Sequence, residues 1–119
     1  MEYELIFNTK PKIFKVKTVI MQTESSRLRG MIGKRFKNIH SMTFKMELGH
    51  HTFHTHGCIE YMDIIFVKDD VIQTIYPNCR PFSGLKYTGY GDMVIELPGN
   101  TTLYKKITAG MHVSLNCIE

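Results

Sequence analysis

The feature that most constrains the fold of this chain is a pair of short apolar runs on either side of a tight polar turn. The runs Asp63 to Val67 and Val71 to Tyr76 are rich in β-branched and aromatic residues, and Lys68-Asp69-Asp70 separates them. Strand-forming runs around so short a turn predict a β-hairpin. This hairpin is the clearest local element of the sequence, and it favours a β-rich fold.

Other short runs of the same kind predict further strands. They cover residues 14–21, 42–47, 52–56, 93–97 and 111–117, with a turn at Leu48-Gly49 between the second and the third. Residues 101–107 predict a short turn or helix. The intervening segment 77–91 is rich in Asn, Arg, Pro, Ser and Gly, which predicts a long loop that is either disordered or functional.

One short helix is predicted near residues 24–32, where Thr23 can serve as N-cap and Gly33 can end the helix. The elements together predict an α+β fold that is mainly β. The expected architecture is a compact antiparallel, barrel-like sheet of about six to eight short strands with one short helix. Ile64, Phe66, Val94 and Leu97 are predicted to share one core.

Length and composition favour one ordinary globular domain over residues 1–119. The chain has 119 residues, of which 43% are hydrophobic and 22% charged. Its longest fully apolar run is Ile64 to Val67, and Met1-Glu2-Tyr3-Glu4 lacks a basic segment before an apolar stretch, so neither a membrane segment nor an export signal is expected. Three widely spaced cysteines, without a Cys-x-x-Cys pair, favour a reducing, cytoplasmic location.

Positive charge is concentrated in the N-terminal part of the chain. Residues 1–49 hold ten Lys and Arg against four acids, whereas residues 50–119 hold five against seven. A basic patch within 27–37 could neutralise the phosphates of a nucleic acid or another polyanion, although a solvated surface is the commoner role of such a run. The patch consists of Arg27, Arg29, Lys34, Arg35 and Lys37.

Four of the six histidines lie between residues 50 and 56. In an extended strand, residues two apart share a face, so His54 and His56 could point the same way, with His50 near that side. Imidazoles bind zinc and similar divalent metals, and Asp63 or Glu60 could complete such a site. The alternative interpretation is a polar strand facing solvent.

Asp63 stands at the start of the most apolar strand, where an unpaired charge would be costly. Its carboxylate must therefore find backbone N–H groups or a cation such as Arg29. It could tie down a loop, or it could lie at the rim of a ligand cleft.

The order of motifs resembles the uncharacterised family called domain of unknown function 192. That family pattern combines an Arg-Gly-Leu-Met-like helix end, a segment that runs through Trp-Met-Lys-Asn-Thr to a strand beginning with Asp, and a later Glu-Leu-x-Ala-Gly. The matching pieces here, spread over about residues 14 to 116, are Arg29-Gly30-Met31-Ile32, Phe53 to Phe66, Tyr87, Val94 to Gly99, and Ile107 to Val113. The chain departs from the pattern at His54-Thr55-His56-Gly57-Cys58. The resemblance implies a compact β-rich fold with a small helix and no settled activity.

These observations favour a small binding or accessory protein over an enzyme. Its ligand cleft is expected between the 50–63 segment and the 77–91 loop, with Arg29, Phe53, Asp63 and Tyr87 at the cleft. The ligand could be a small molecule or a protein partner, and no membrane partner is expected. The alternatives are a metal-dependent hydrolase built on the histidines and a nucleic-acid-binding module built on the basic patch.

Overall fold

The computed structural model of the protein describes residues 2–22 and 30–118. Its elements are seven strands and one short helix, in the order β1 (Glu2–Phe7), β2 (Phe14–Met21), β3 (Met42–Phe53), β4 (Met62–Lys68), β5 (Val71–Cys79), β6 (Tyr87–Pro98), α1 (Thr101–Tyr104) and β7 (Val113–Ile118). The predicted mainly β, α+β class is confirmed. No helix in these described ranges is long and apolar enough to cross a membrane.

The strands form one curled sheet in the order β5-β4-β6-β3-β2-β1-β7. All neighbouring pairs are antiparallel except β2 and β3, which are parallel. The two edges meet at one end, where Val71 bridges His112 and the Val113 N–H donates to the Asp70 carbonyl at 2.9 Å. The sheet is therefore a curled half-barrel, which confirms the predicted barrel-like architecture, and it contains one parallel pair among antiparallel ones.

The predicted hairpin is present as β4, a turn at Asp69-Asp70, and β5. Both turn residues have positive φ, 50° at Asp69 and 63° at Asp70. Turns of this kind match the right-handed twist of paired strands, and Asp tolerates the left-handed backbone better than most residues. The predicted strand 14–21 and the short helix within 101–107 are also confirmed.

Two other expected boundaries are wrong. Residues 42–53 form one long strand, because a bulge between Lys45 and Gly49 absorbs the predicted turn. The expected loop 77–91 shrinks to residues 80–86 between β5 and β6. Strand β1, to which no element was assigned, pairs with both β2 and β7.

Two glycines that suggested a loop instead allow close packing within the sheet. A Cβ at Gly89 would lie 2.3 Å from Cγ of Phe66, and a Cβ at Gly91 would lie 2.2 Å from the Val67 carbonyl oxygen. A side chain at either position would collide with β4, so glycine in this strand marks a close approach rather than a turn.

Most of the predicted helix near residues 24–32 lies outside the described residues. Its last part is described, and there Gly30 to Ile32 form a turn rather than a helix. Ile32 forms a β-bridge with Cys58, and the Gly33 N–H donates to the Gly57 carbonyl at 3.0 Å. Segment 30–40 is thereby tied to segment 54–61.

The core divides into two clusters because residues alternate between the faces of a strand. The first core consists of Met21, Met31, Phe36, Met42, Phe44, Cys58, Met62, Ile64, Phe66, Cys79 and Val94. The second core consists of Leu5, Phe7, Ile65, Val67, Ile72, Met93, Ile95, Leu97, Ile107 and Val113. The prediction of one shared core holds for Ile64, Phe66 and Val94. It is wrong for Leu97, because an odd number of positions separates Leu97 from Val94 on the same strand.

Candidate functional site

The carboxylate of Asp63, at the start of β4, is fully buried and fully hydrogen-bonded. Oδ1 accepts from the backbone N–H groups of Asn78 at 2.7 Å and Asn100 at 2.9 Å. Oδ2 accepts from the N–H and from the hydroxyl of Thr102, each at 2.7 Å. Charge-assisted hydrogen bonds of this number offset the cost of burying a carboxylate. Asp63 therefore joins the end of β5 and the turn after β6 to the start of β4.

The segments joined by Asp63 form the walls of a surface groove of about 630 Å³, here called the polar groove. Its lining residues come from four places in the sequence: Arg35, Phe36, Ile59, Glu60, Tyr61, Asn78, Pro98, Gly99 and Asn100. Asn78 and Asn100 both have positive φ, 50° and 68°, a conformation in which Asn is enriched among non-glycine residues. Asp63 holds both of their N–H groups, so a buried carboxylate sets the backbone of two lining residues.

Gly99 is needed at the floor of the polar groove. An added Cβ would lie 2.6 Å from Oδ1 of Asn78 and 2.9 Å from Cβ of Tyr61. The Gly99 N–H also donates to the Tyr61 carbonyl at 3.1 Å. The absence of a side chain therefore lets the Asn78 and Tyr61 walls come together over the turn.

Glu60 connects the wall formed by residues 59–61 to the wall formed by residues 35–36. Its Oε1 accepts from the N–H of Phe36 at 2.6 Å, across 24 positions of sequence. Because Phe36 follows Arg35 directly, this bond anchors the backbone from which the Arg35 side chain projects. Arg35 and Glu60 are the charged residues of the lining, and they give the groove one positive and one negative group.

A second carboxyl group, Glu96, lies buried in β6 on the side of the first core. It stands opposite Ile64 on β4 and Met42 on β3, and its exposed fraction is 3%. Its Oε1 has no hydrogen-bond partner among the described residues. Burial raises the pKa of Glu96 to about 8, and the nearby positive charge of Lys34 acts in the opposite direction. Glu96 is therefore predominantly neutral at pH 7.

Two buried thiols share these surroundings. Burial, assisted by the charge of Glu96, raises the pKa of Cys58 to about 11. The pKa of Cys79 is also raised to about 11, mainly by burial, although a hydrogen bond with Tyr87 lowers it in part. Both side chains are therefore neutral thiols at pH 7, which disfavours a role as nucleophile.

Glu96 was not among the predicted site residues, although it lies in the Val94 to Gly99 piece that matches the family pattern. A signal was available, because Val94 and Glu96 are two positions apart in a strand and so share a face. An acid on the buried face of an apolar run is exceptional. Only the paired strands on both sides, however, show that its carboxyl is enclosed.

Glu96 should make the stability of the protein fall as pH rises. The pKa of this carboxyl is raised by folding from 4.5 to about 8, so between these values the folded state keeps a proton that the unfolded state has lost. Its contribution is fully present below about pH 4.5 and is lost as pH rises towards 8, with a limiting slope of about 1.4 kcal/mol per pH unit. Glu96→Gln, which is neutral at every pH, should remove this slope when urea unfolding is compared at several pH values. Parallel pH profiles for the two proteins would contradict the prediction.

Of the residues predicted at the ligand cleft, Phe53 and Tyr87 face each other across β3 and β6. They belong to a row of aromatic contacts at the edge of the first core, in which Phe53 packs on Phe66 with ring centroids 5.9 Å apart and Tyr76 packs on Tyr87 at 5.3 Å. Arg29 lies outside the described residues. The carboxylate oxygens of Asp63 accept hydrogen bonds from residues at the polar groove. They do not lie in a cleft beside these aromatic rings.

The two segments that were expected to flank a cleft contact each other around buried Thr55. The Thr55 hydroxyl donates to the Arg80 carbonyl at 2.5 Å and accepts from the Ser83 N–H at 3.1 Å, and its carbonyl accepts from the Phe82 N–H at 3.1 Å. Open space between the same segments occurs at the polar groove, where residues 59–61 face Asn78.

The structure does not assemble the predicted metal site from His50, His54, His56 and Asp63. His50 packs edge-on against Tyr90, and both oxygens of Asp63 are already engaged. His54 and His56 are neighbours, with ring centroids 5.3 Å apart, but Nδ1 of His54 accepts from the His56 N–H at 3.2 Å. Within residues 2–22 and 30–118, no three His, Cys, Asp or Glu side chains are grouped as a metal site would require.

The described part of the basic patch is divided among different surroundings. The Lys34 ammonium donates to the Gly30 carbonyl at 2.9 Å and acts on buried Glu96. Arg35 lines the polar groove, and Lys37 is exposed. Arg27 and Arg29 lie outside the described residues. Polyanion binding by the five together stays a prediction.

Comparison with known proteins identifies the family. The model of DUF192, described as "Uncharacterized ACR", matches residues 6–115. The chain belongs to the DUF192 family. The predicted resemblance is thus confirmed, and the matched range of the DUF192 model includes Asp63, Glu96 and every residue that lines the polar groove.

Two solved structures share the fold of this DUF192 protein. A candidate transcription regulator from Sinorhizobium meliloti 1021 superposes with a TM-score of 0.89 at 18% identity, over 96% of this chain and 93% of that one. A protein of unknown function from Novosphingobium aromaticivorans DSM 12444 gives a TM-score of 0.81 at 18% identity, over 93% and 83%. At this identity the likeness shows the fold alone. No curated protein matches the chain.

Proposed function

We propose that this DUF192 protein is a small ligand-binding or accessory protein whose ligand occupies the polar groove. The observation that carries the proposal is the set of four hydrogen bonds to buried Asp63. A carboxylate at this position is costly unless every bond forms. Those bonds hold Asn78 and Asn100 in the left-handed backbone that shapes the groove. Strained backbone held rigidly beside a concave surface is typical of binding sites.

The polar groove includes part of the interface between the 50–63 segment and the 77–91 loop, where a cleft was predicted, although the residues predicted for that cleft do not line it. Residues 59–61 contribute one wall and Asn78 contributes another. The proposed site is thus formed at one end of that interface, whereas hydrogen bonds around Thr55 join the rest of it.

We also assign the protein to the cytoplasm. Support comes from the cysteines, since Cys58 and Cys79 are both buried thiols outside any disulfide, a usage typical of reducing compartments.

The proposed function predicts that Gly99→Ala impairs ligand binding. The new methyl group would displace the Asn78 side chain and the Tyr61 wall, so affinity should fall about tenfold or more, as expected when a preorganised site loses its geometry. Amide NMR spectra recorded with a panel of amino acids, sugars and nucleosides would identify binders and their affinities. The amides of Asn78, Gly99 and Asn100 should respond most.

Gly49→Ala is the matched control, because a Cβ at that position meets no atom within 4 Å. It should bind with unchanged affinity. The proposal fails if no compound of the panel shifts a groove amide, or if the Gly99→Ala protein binds as tightly as the control.

A further inference from the structure

The two charged residues of the polar groove are not paired with each other. Among the described residues, the one ion pair joins Lys17 to Glu2 at 3.8 Å on the surface. Arg35 and Glu60 line the same groove, and each lacks an ion-pair partner in that part of the chain. A positive and a negative group therefore face one concave space at separate positions.

The negative group, the Glu60 carboxylate, is held in place by one hydrogen bond and can still accept others. Oε1 of Glu60 is occupied by the Phe36 N–H, but an ionised carboxylate has about four acceptor sites on its two oxygens. The half-buried Glu60 thus presents a carboxylate with a defined orientation to a further donor.

The positive group is suited to a planar anion. A guanidinium forms paired hydrogen bonds with a carboxylate. Because the Glu60 bond anchors the neighbouring backbone at Phe36, Arg35 projects from a fixed point. The separation between the two charges is therefore limited by the backbone.

The surface between the charges is neutral and mixed. The Asn78 and Asn100 residues supply amide groups, while Tyr61, which is 49% exposed, and Pro98 supply apolar surface. Such a lining can hydrogen-bond a peptide-like group and pack against a small side chain.

We propose that the polar groove takes a ligand carrying both a carboxylate and an ammonium group, such as a free amino acid or a short peptide. The ligand carboxylate pairs with Arg35 and its ammonium with Glu60. Each of these groups loses water on entering the groove and regains a charged partner, whereas a ligand with one charge leaves either Arg35 or Glu60 uncompensated. This inference rests on the proposed function, since it assigns the ligand class of the same groove.

The test uses a series of ligands that differ in the distance between their charges. Glycine, β-alanine, γ-aminobutyrate, ε-aminocaproate, diglycine and triglycine are titrated separately while the amides of Asn78, Gly99 and Asn100 are followed by NMR. One length should bind best, because the two protein charges lie at a set separation. The N-acetyl derivative and the C-terminal amide of that ligand should each bind about tenfold more weakly or worse.

Charge-removing variants complete the test with Lys37→Gln as the control, since Lys37 is exposed outside the groove. Arg35→Gln should lower affinity for the best ligand about tenfold or more and should erase its advantage over the C-terminal amide. Glu60→Gln keeps an oxygen for the Phe36 N–H and should erase the advantage over the N-acetyl derivative.

The outcomes separate this inference from the proposed function. One outcome is that neutral compounds shift the NMR signals of the groove amides while the ligands with both charges bind no better than their N-acetyl and C-terminal amide derivatives. In that case the groove binds a ligand of another class and this inference is overturned. If no compound shifts those amides, the proposed function fails as well. Equal binding by the Arg35→Gln, Glu60→Gln and Lys37→Gln proteins would also overturn the pairing of charges.

Discussion

Replacing Asp63 by Ala should lower the free energy of unfolding by about 3 to 5 kcal/mol. The change removes the acceptor of four hydrogen bonds and leaves the N–H groups of Asn78, Asn100 and Thr102 without that partner. The two Thr102 donors are buried, and a buried donor without a partner costs free energy. Urea denaturation followed by circular dichroism measures the loss.

The nearly isosteric Asp63→Asn variant tests whether the loss of stability comes from the charge and hydrogen bonds of the carboxylate or from the volume of the side chain. Its amide group would place an NH₂ where donors already point, so most of the loss should remain. Asp92→Ala, at a half-buried position of β6, is the control and should change stability by less than about 1 kcal/mol. If both Asp63 variants were as stable as this control, the carboxylate would not hold the three segments together.

Phe66→Ala should be comparably destabilising, by about 3 to 5 kcal/mol. The ring is fully buried in the first core, packs edge-on against Phe53 and Tyr76, and lies over Gly89. Truncation leaves a cavity that the paired strands β4 and β6 cannot close. Chemical denaturation provides the measurement.

A second phenylalanine offers a matched control. The side chain of Phe82 is 66% exposed in the loop between β5 and β6, so Phe82→Ala should cost less than about 1 kcal/mol. A loss below that value for Phe66→Ala would show that the ring does not support the core as the structure describes.

The elements that sequence patterns predicted correctly are those specified by near neighbours. The β4–β5 hairpin follows from two apolar runs and a turn whose Asp69 and Asp70 tolerate positive φ. The strand 14–21 follows from its own β-branched residues. In both cases the steric preferences of adjacent residues are sufficient.

The errors arise where a residue serves a distant partner. Gly89 and Gly91 resembled loop glycines, but each gives room to a residue of β4 more than twenty positions earlier in the chain. The Leu48-Gly49 pair resembled a turn, yet long-range pairing of β3 with β6 continues past it with a bulge. A local sequence pattern does not predict such long-range pairing.

The candidate site likewise combines features that depend on near neighbours with features that depend on distant parts of the chain. The demand that Asp63 find hydrogen-bond donors follows from one acid at the start of an apolar strand. Its donors lie 15, 37 and 39 positions later in the chain, so no short motif could name them. Glu96 was visible in the sequence as an acid between apolar residues, but its raised pKa depends on the strands that enclose it.

By itself the sequence determined the β-rich class, the family, the main hairpin and the need of Asp63 for partners, because these depend on side-chain chemistry and on sterics within a few residues. The tertiary structure alone decided the parallel β2–β3 pair, the two-sided core, the enclosure of Glu96 and the placement of Arg35 and Glu60 in the lining of one groove. Each of these requires segments far apart in sequence to pack together. Their approach is set by the balance of burial, hydrogen bonding and backbone entropy over the whole chain.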